Sequence, residues 1–413
     1  MNINFNSDFL DIMYERGFIH QVTDKENLKK AIHKGCIPGY IGFDCTAPSL
    51  HVGSLVQIMM LRWFQKTGNK PIVLMGGGTT KIGDPSGKDT ARPLISNEKI
   101  KENQNSLRTV FNNYLKFGDV ENDAIMLDNS EWLEKLNYIS FLRDFGSAFS
   151  INKLVNLESV KIRLEREQNL SFLEFNYSLL QAFDFLKLNQ DYSCKLQMGG
   201  SDQWGNIVTG VELVRKKTSE SVYGLTSPLL TTSSGAKMGK TASGAVWLNS
   251  NQLSDWDFWQ YWRNTEDLDV IKFLKLFTEL PLDEINRLEK LKGAEINQAK
   301  IILANEVTKL CRSEEAANKI SVSSENVFNK KYSDETLPSI NITNNQISLI
   351  DALKSLNFVQ TNGEARRLIR GNGAKVNDSV ITDENKILKI KDYEKKTIKI
   401  SSGKKKHGLL KFS

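Results

Sequence analysis

"YIGFDCTAPSLHVGS", residues 40–54, opens with Tyr, Ile, Gly and Phe, reaches Asp44, turns through Pro48 and arrives at His51 and Gly53. A short apolar run closed by an acid reads as a buried strand, and Pro48 breaks it. The amphipathic run that starts near His51 reads as a helix. "PIVLM" (71–75), "AIMLD" (124–128) and "CKLQM" (194–198) read as further strands. Several of them run into Gly or polar residues and then into helical patterns, one beginning near Asp202. Strands alternating with helices predict an α/β fold with a Rossmann-like parallel sheet, whose binding crevice lies beyond the carboxyl ends of the strands. Asp44, the three glycines at 76–78 and Asp202 all fall at such ends.

Helix starts leave N–H groups free and attract anions. A His at that point suits a phosphate, and Gly53 suits close approach of a nucleotide, although His-x-Gly also fits an ordinary helix start. Two other stretches look like phosphate loops without being P-loops. In "SSGAKMGKTASG" (233–244) three residues, not four, separate Gly235 from Gly239 and Lys240. In "GDPSGKD" Ile82 stands where the first glycine belongs and Asp89 where the hydroxyl belongs. The loop "GDPSGKDTAR" (83–92) nevertheless carries Lys88 and Arg92. In "FLEFNYSLLQAFDFL" (172–186), Tyr177, Gln181 and Asp184 share one stripe of an otherwise apolar helix. A carboxylate there is costly unless a polar network or a ligand meets it. "QMGGSDQWGN" (197–206) ends a strand in Gly-Gly and supplies acid and amide groups.

The chain has 413 residues, 40% hydrophobic and 25% charged, the balance of a soluble globular protein. It has no apolar run long enough to span a membrane and no signal-peptide pattern at its start. Four scattered cysteines without a CxxC pair argue for free thiols in a reducing cytoplasm rather than a metal site. The net charge of +6 is uneven: residues 346–413 hold 15 Lys and Arg against 7 Asp and Glu, leaving 40 against 42 for the rest. That local excess, with Arg366, Arg367 and Arg370 around one predicted helix end, suggests a polyanionic partner such as nucleic acid. Residues 251 to about 320 read as successive helices, with Trp256, Trp259 and Trp262 as a core stripe. Residues 321–346 are rich in Ser and Asn and read as a linker.

"GFDCTAPSLHVGS", "GDPSGK", "LQAFDFL", "QMGGSDQWGNI" and "KMGKT", in this order and spacing, resemble class I aminoacyl-tRNA synthetases, specifically the bacterial tyrosyl family. The resemblance spans essentially the whole chain. It implies a catalytic domain at 1–245, an α-helical domain at 246–325, a linker at 326–346 and a small basic α+β RNA-binding domain at 347–413. It implies ATP with Mg²⁺, L-tyrosine and the cognate tyrosine tRNA as partners, a homodimer, and a two-step ligase reaction. His51 would face the phosphates; Lys237, Lys240 and Thr241 would hold pyrophosphate, with Lys88 and Arg92 closing from their loop. The ATP site would use Gly42, Asp44, Thr46, His51, Gly53, Ser54, Gly200, Asp202 and Lys240, with Asp202 on the ribose. Gln203 would take the tyrosine carboxylate, Asp84, Tyr177 and Gln181 its ammonium, and Tyr40 with Asp184 its phenol. Arg366, Arg367, Arg370 and Lys375 would contact tRNA. Ser54 replaces the second His of the first family signature, and Gly239 a Ser of the second. A tryptophanyl enzyme, another adenylyltransferase and a non-catalytic RNA-binding factor on the same fold are the alternatives. Tyr40 paired with Asp184, the basic terminal module and the full set of lysines, His51 and acids argue against them in turn.

Overall fold

The computed structural model describes residues 8–86, 95–233, 235, 238–241, 244–328, 337–393, 397–403 and 406–412, with backbone alone at 240, 241 and 325–328. The chain forms two compact units, Met1–Glu314 and Glu315–Ser413.

The first unit is built on a six-stranded sheet: β1 (Gln21–Val22), β2 (Pro38–Asp44), β3 (Lys70–Gly76), β4 (Ile125–Asp128), β5 (Leu196–Gly200) and β6 (Tyr223–Ser227). Their spatial order is β1-β6-β5-β2-β3-β4. All neighbours run parallel except β1, which pairs antiparallel with β6. Central strands covered on both faces need apolar side chains throughout, and Ile72, Val73 and Leu196 are each fully buried. The order reverses at β2, which has β3 on one side and β5 on the other. A crevice therefore opens beyond the carboxyl ends of β2 and β5.

Helix α1 (Leu55–Lys66) follows β2 through a 3-10 turn, Val52–Ser54. Between β4 and β5 the chain inserts α2 (Tyr138–Phe145), α3 (Ile151–Leu154), α4 (Glu158–Glu165), α5 (Phe172–Phe175) and α6 (Tyr177–Tyr192). Helix α7 (Trp204–Thr218) follows β5. Helices α8 (Asp255–Arg263), α9 (Val270–Phe277) and α10 (Ile296–Cys311) come next, and the Trp stripe lies on α8. Trp259 and Trp262 are fully buried, Trp262 against Phe273 and Phe277 of α9.

These helices belong to the same unit as the sheet, and specific bonds hold them there. The Arg16 guanidinium donates to the carbonyls of Lys275, Thr278 and Leu280 at 3.0, 3.0 and 2.7 Å, serving carbonyls left open where α9 ends. Burial lowers its pKa to about 10. Glu279 accepts from Arg62 at 2.6 Å and Lys66 at 2.9 Å. Burial opposes its charge, but these two cations hold its carboxyl below the usual range.

The Ser- and Asn-rich stretch 321–346 contains regular elements. Helix α11 (Glu314–Phe328) runs into it, and Ser339–Ile342 forms strand β7. Serines persist in the helix by bonding back to it: Ser323 donates to the Lys319 carbonyl at 2.8 Å. In the second unit β7 lies parallel to the last strand, Lys406–Phe412, at the edge of a five-stranded sheet. Helices α12 (Leu349–Ser355) and α13 (Asn362–Arg370) complete the unit. Leu353, Ile369, Ile398 and Leu410, all fully buried, give it a core of its own.

Candidate active site

The turn after β2 decides the position of His51. Its backbone bridges to Trp247, and Val52 N–H donates to the Val246 carbonyl at 2.9 Å. His51 Nδ1 accepts from Gly53 N–H at 3.0 Å, so the neutral ring carries its proton on Nε2. Met238 and Gly239 of the "KMGKT" segment lie directly against this turn. A Cβ built on Gly53 would sit 2.7 Å from His51 Cε1 and 3.0 Å from the Met238 carbonyl oxygen. One built on Gly239 would sit 2.8 Å from His51 Nδ1 and 2.9 Å from Gly53 N, and Gly239 has φ +96°. Glycine at 239 is therefore required twice, by conformation and by contact. Lys240 and Thr241 pair through their backbones with Ala245 and Gly244. Lys88, Arg92 and Lys237 lie outside the described residues.

At the other end of the crevice a polar network is buried between the strand ends and α6. Asp184, 2% exposed, accepts from Asn129 Nδ2 at 2.9 Å and from Trp132 Nε1 at 2.7 Å. Burial raises its pKa to about 7, the two donors pull it down, and Asp44 and Asp128 add to the rise. One N–H on each oxygen suits the carboxylate form. Asn129 also accepts from Gly78 N–H at 2.8 Å and donates to Thr79 Oγ1 at 3.1 Å. Thr79 donates to Asp44 at 2.9 Å, and the Tyr177 hydroxyl donates to the other Asp44 oxygen at 3.3 Å.

In this region the buried hydroxyl of Tyr40, Oε1 of Gln181, Oε1 of Gln197 and Oγ of Ser86 have no hydrogen-bond partner among the described residues. Burial, then the Asp184 charge, raises the Tyr40 pKa well above its ordinary value. Nearby, Asp84 accepts from Ser86 N–H at 2.9 Å and from Gln203 Nε2 at 2.8 Å. Gln203 in turn accepts from Asn206 at 3.0 Å.

Between these ends the floor is open. Gly42, in the central strand, is exposed, and a Cβ there would meet nothing within 4 Å. Thr46 and Asp202 are exposed as well. A Cβ on Gly200 would come within 2.5 Å of Asp202 Oδ1, so β5 must end in glycine for the acid to lie over it. Ser54 begins α1 without capping it through its side chain. In the second unit, Arg366 and Arg370 both pair with Glu384, Arg366 at 3.7 Å, while Arg367 is exposed and Lys375 lies in a strand, Ala374–Val376.

Sequence reasoning missed Thr79, Asn129 and Trp132. A signal existed for Asn129: "LDNSEW" (127–132) ends β4 in an acid and an amide, as acid and amide groups follow β5, at a strand's carboxyl end.

An open parallel sheet with an anion-ready helix start and acid–amide pairs at its carboxyl edge defines a nucleotide-binding enzyme of the class I synthetase type. The family described as tRNA synthetases class I (W and Y) matches residues 34–329, and this chain belongs to that family. Within it the similarity runs to tyrosine–tRNA ligases of bacteria. That of Novosphingobium aromaticivorans is 56% identical, covering 98% of this chain and 99% of the relative. That of Zymomonas mobilis is 55% identical, covering 98% of each. The crystal structure of a C-terminally truncated mitochondrial tyrosyl-tRNA synthetase from Aspergillus nidulans superposes with TM-score 0.70 at 30% identity, over 78% of this chain and 94% of that one. The tyrosyl-tRNA synthetase of Archaeoglobus fulgidus, solved with L-tyrosine, shares the fold at TM-score 0.56 and 18% identity, over 76% of this chain and all of that one.

Proposed function

We infer that this chain activates L-tyrosine with ATP and transfers it to the 3′ end of its cognate tRNA. A tyrosine carboxylate oxygen attacks the α-phosphorus of ATP, the bond to the bridging oxygen breaks, and pyrophosphate leaves. The terminal ribose hydroxyl of tRNA then attacks the carbonyl of tyrosyl-adenylate and displaces AMP. Neither step needs a protein nucleophile; both need positioning and charge stabilisation. Mg²⁺ enters as part of the substrate, bound to the ATP phosphates.

The observation that carries the reading is the pair of unpartnered buried groups, the Tyr40 hydroxyl and Gln181 Oε1, beside a buried Asp184. A phenol hydroxyl gives Tyr40 its missing partner and donates to Asp184, whose oxygens each have a lone pair to spare. The substrate ammonium takes Gln181 Oε1 and reaches Tyr177 and Asp84, and Gln203 takes the carboxylate. ATP lies over Gly42, Gly53 and Gly200, with Asp44, Thr46 and Ser54 at the rim and its ribose on Asp202. The His51 Nε2–H meets the phosphates; Lys237, Lys240 and Thr241 receive pyrophosphate, with Lys88 and Arg92 from the facing loop. Arg366, Arg367, Arg370 and Lys375 meet tRNA phosphates, Glu384 holding two of the arginines in place.

Exposed apolar side chains on the β4–β5 insertion support a homodimer: Ile139 is 70% exposed, Ile151 62% and Phe172 68%. A second copy would cover apolar side chains of this kind. No helix among the described residues is long and apolar enough to cross a membrane; bacteria charge their tRNA in the cytoplasm, where we place this activity. ATP–pyrophosphate exchange with tyrosine, tryptophan and phenylalanine side by side tests the reading. Exchange should depend on tyrosine; equal exchange with tryptophan would overturn the assignment of Tyr40 and Asp184 to a phenol.

A further inference from the structure

Helix α10 ends against the segment that holds His51. Residues 246–249 run beside the turn before α1. Val52 N–H donates to the Val246 carbonyl at 2.9 Å, Leu248 N–H to the Leu50 carbonyl at 2.8 Å and Asn249 N–H to Ser49 Oγ at 3.0 Å. Val246 N–H also donates to the Gly239 carbonyl at 3.0 Å, and the His51 and Trp247 rings lie 6.5 Å apart. One short segment therefore carries both signature turns. It forms no helix and only an isolated bridge, so its position depends on what holds its remaining carbonyls.

Two consecutive residues at the end of α10 hold them. Cys311 Sγ–H donates to the Leu248 carbonyl at 3.3 Å. Arg312 Nη2 donates to the Trp247 carbonyl at 3.3 Å and to the Leu253 carbonyl at 3.2 Å. The Arg312 side chain is 5% exposed, with its Nε 3.0 Å from Asp255 and its guanidinium 4.7 Å from the centre of the Phe258 ring. The anchorage is itself fixed, because Asn113 Nδ2 donates to the Cys311 carbonyl at 2.8 Å. Burying a cation is costly unless carbonyls and a counter-charge meet it, and here both do. A guanidinium presents its N–H groups in a rigid planar fork, so it fixes carbonyls and a carboxylate in one geometry; a Lys ammonium is a point charge and cannot. The contacts with Leu253 and Asp255 secure the start of α8. The contact with Trp247 is the one that reaches the site.

We propose that Arg312 is a positioning residue for tyrosine activation: it holds the Trp247 peptide, and through it the His51 turn, where the ring Nε2–H meets the ATP phosphates. The proposal rests on the tyrosine–tRNA ligase reading, which assigns His51 to those phosphates. Arg312 bonds to protein groups and acts through them. A misplacement of about 1 Å that originates far from the reacting atoms can cost about 10²-fold in rate.

The test uses the full chain with Arg312→Lys and Arg312→Ala, each alone and each combined with His51→Ala. Rapid-quench adenylate formation gives the rate constant, and equilibrium dialysis gives the Kd for tyrosine. Arg312→Ala should slow adenylation by roughly 10- to 100-fold and Arg312→Lys by about fivefold or more, both with the tyrosine Kd within about twofold of wild type. In the His51→Ala background the further loss from either substitution should shrink to within about twofold, because the group that Arg312 positions is gone. A residue that only stabilised the fold would cost the same factor in both backgrounds, or would weaken tyrosine binding along with the rate. Either result would overturn the proposal, as would wild-type adenylation in both single variants. Should Arg312→Ala fail to fold, the cycle with Arg312→Lys decides alone. If wild type itself gave no tyrosine-dependent exchange, the ligase reading would fall; normal wild-type exchange with no loss at Arg312 would sink this proposal and leave that reading standing.

Discussion

Asp184 stands where a charge is costly. Its carboxylate is buried, two N–H donors hold it, and its pKa is raised to about 7. An acid whose folded pKa exceeds its unfolded one binds its proton more tightly when folded. Stability therefore falls as pH rises from about 4 to about 7, then levels. Asp184→Asn removes that slope. Its melting temperature relative to wild type should increase between pH 5 and pH 8, while tyrosine activation is lost; a difference independent of pH would refute the raised pKa. Tyr40 is the complementary case. Its hydroxyl is buried and unpartnered, so Tyr40→Phe should not lower thermal stability. The same change should cut kcat/KM for tyrosine relative to phenylalanine by about 5- to 150-fold, since an unmet polar group costs about 1–3 kcal/mol. An unchanged ratio would remove Tyr40 from the phenol site. Helical periodicity made Tyr177, Gln181 and Asp184 legible in the sequence. It left Asn129 and Thr79 unread, because their roles arise where the ends of β3 and β4 meet.

At the scale of elements, the two signature segments act as one object. The turn before α1 and the turn at Met238 and Gly239 touch through two glycines, Gly53 and Gly239. Gly239→Ala places a Cβ against His51 Nδ1 and forces a non-glycine residue to φ +96°, a strain of about 1–3 kcal/mol. The segment should shift off the His51 turn. Rapid-quench adenylate formation is expected to slow by about 5- to 100-fold with tyrosine affinity unchanged. A variant with wild-type burst kinetics would mean that this contact plays no part in adenylation. The sequence signalled β2, β3, β4 and β5 through their apolar runs and breakers, with boundaries shifted by a residue or two, and left β1 and β6 unread. It misjudged 321–346, where polar composition hid a helix whose serines bond back to the backbone, and a strand, Ser339–Ile342, that owes its order to pairing with Lys406–Phe412.

At the scale of the molecule, charge and chemistry are divided between two units. The residues assigned to ATP and tyrosine all lie in the first, and the positive excess lies in the second, which has its own apolar core. A chain ending within 329–336 should keep tyrosine-dependent pyrophosphate exchange near the normal rate. It should lose most tRNA charging, and its remaining tRNA binding should fall less steeply with salt, since fewer counterions are released. Equal loss of both activities would show that the second unit stabilises the first instead.

The sequence by itself determined the class of fold, the uneven charge, the family motifs and the helical stripe that carries Asp184. Each is a local or compositional property, readable from periodicity, spacing or a count. Tertiary structure alone decided that the helices after residue 246 share a unit with the sheet, through Arg16, Arg62 and Glu279, residues far apart in the chain. It alone joined Asp184 to Asn129 and Trp132, set Gly239 against His51, and tied Arg312 to the carbonyl of Trp247. Those features depend on strand order and on which distant backbones approach within a few ångströms, and no periodicity along a single chain encodes that.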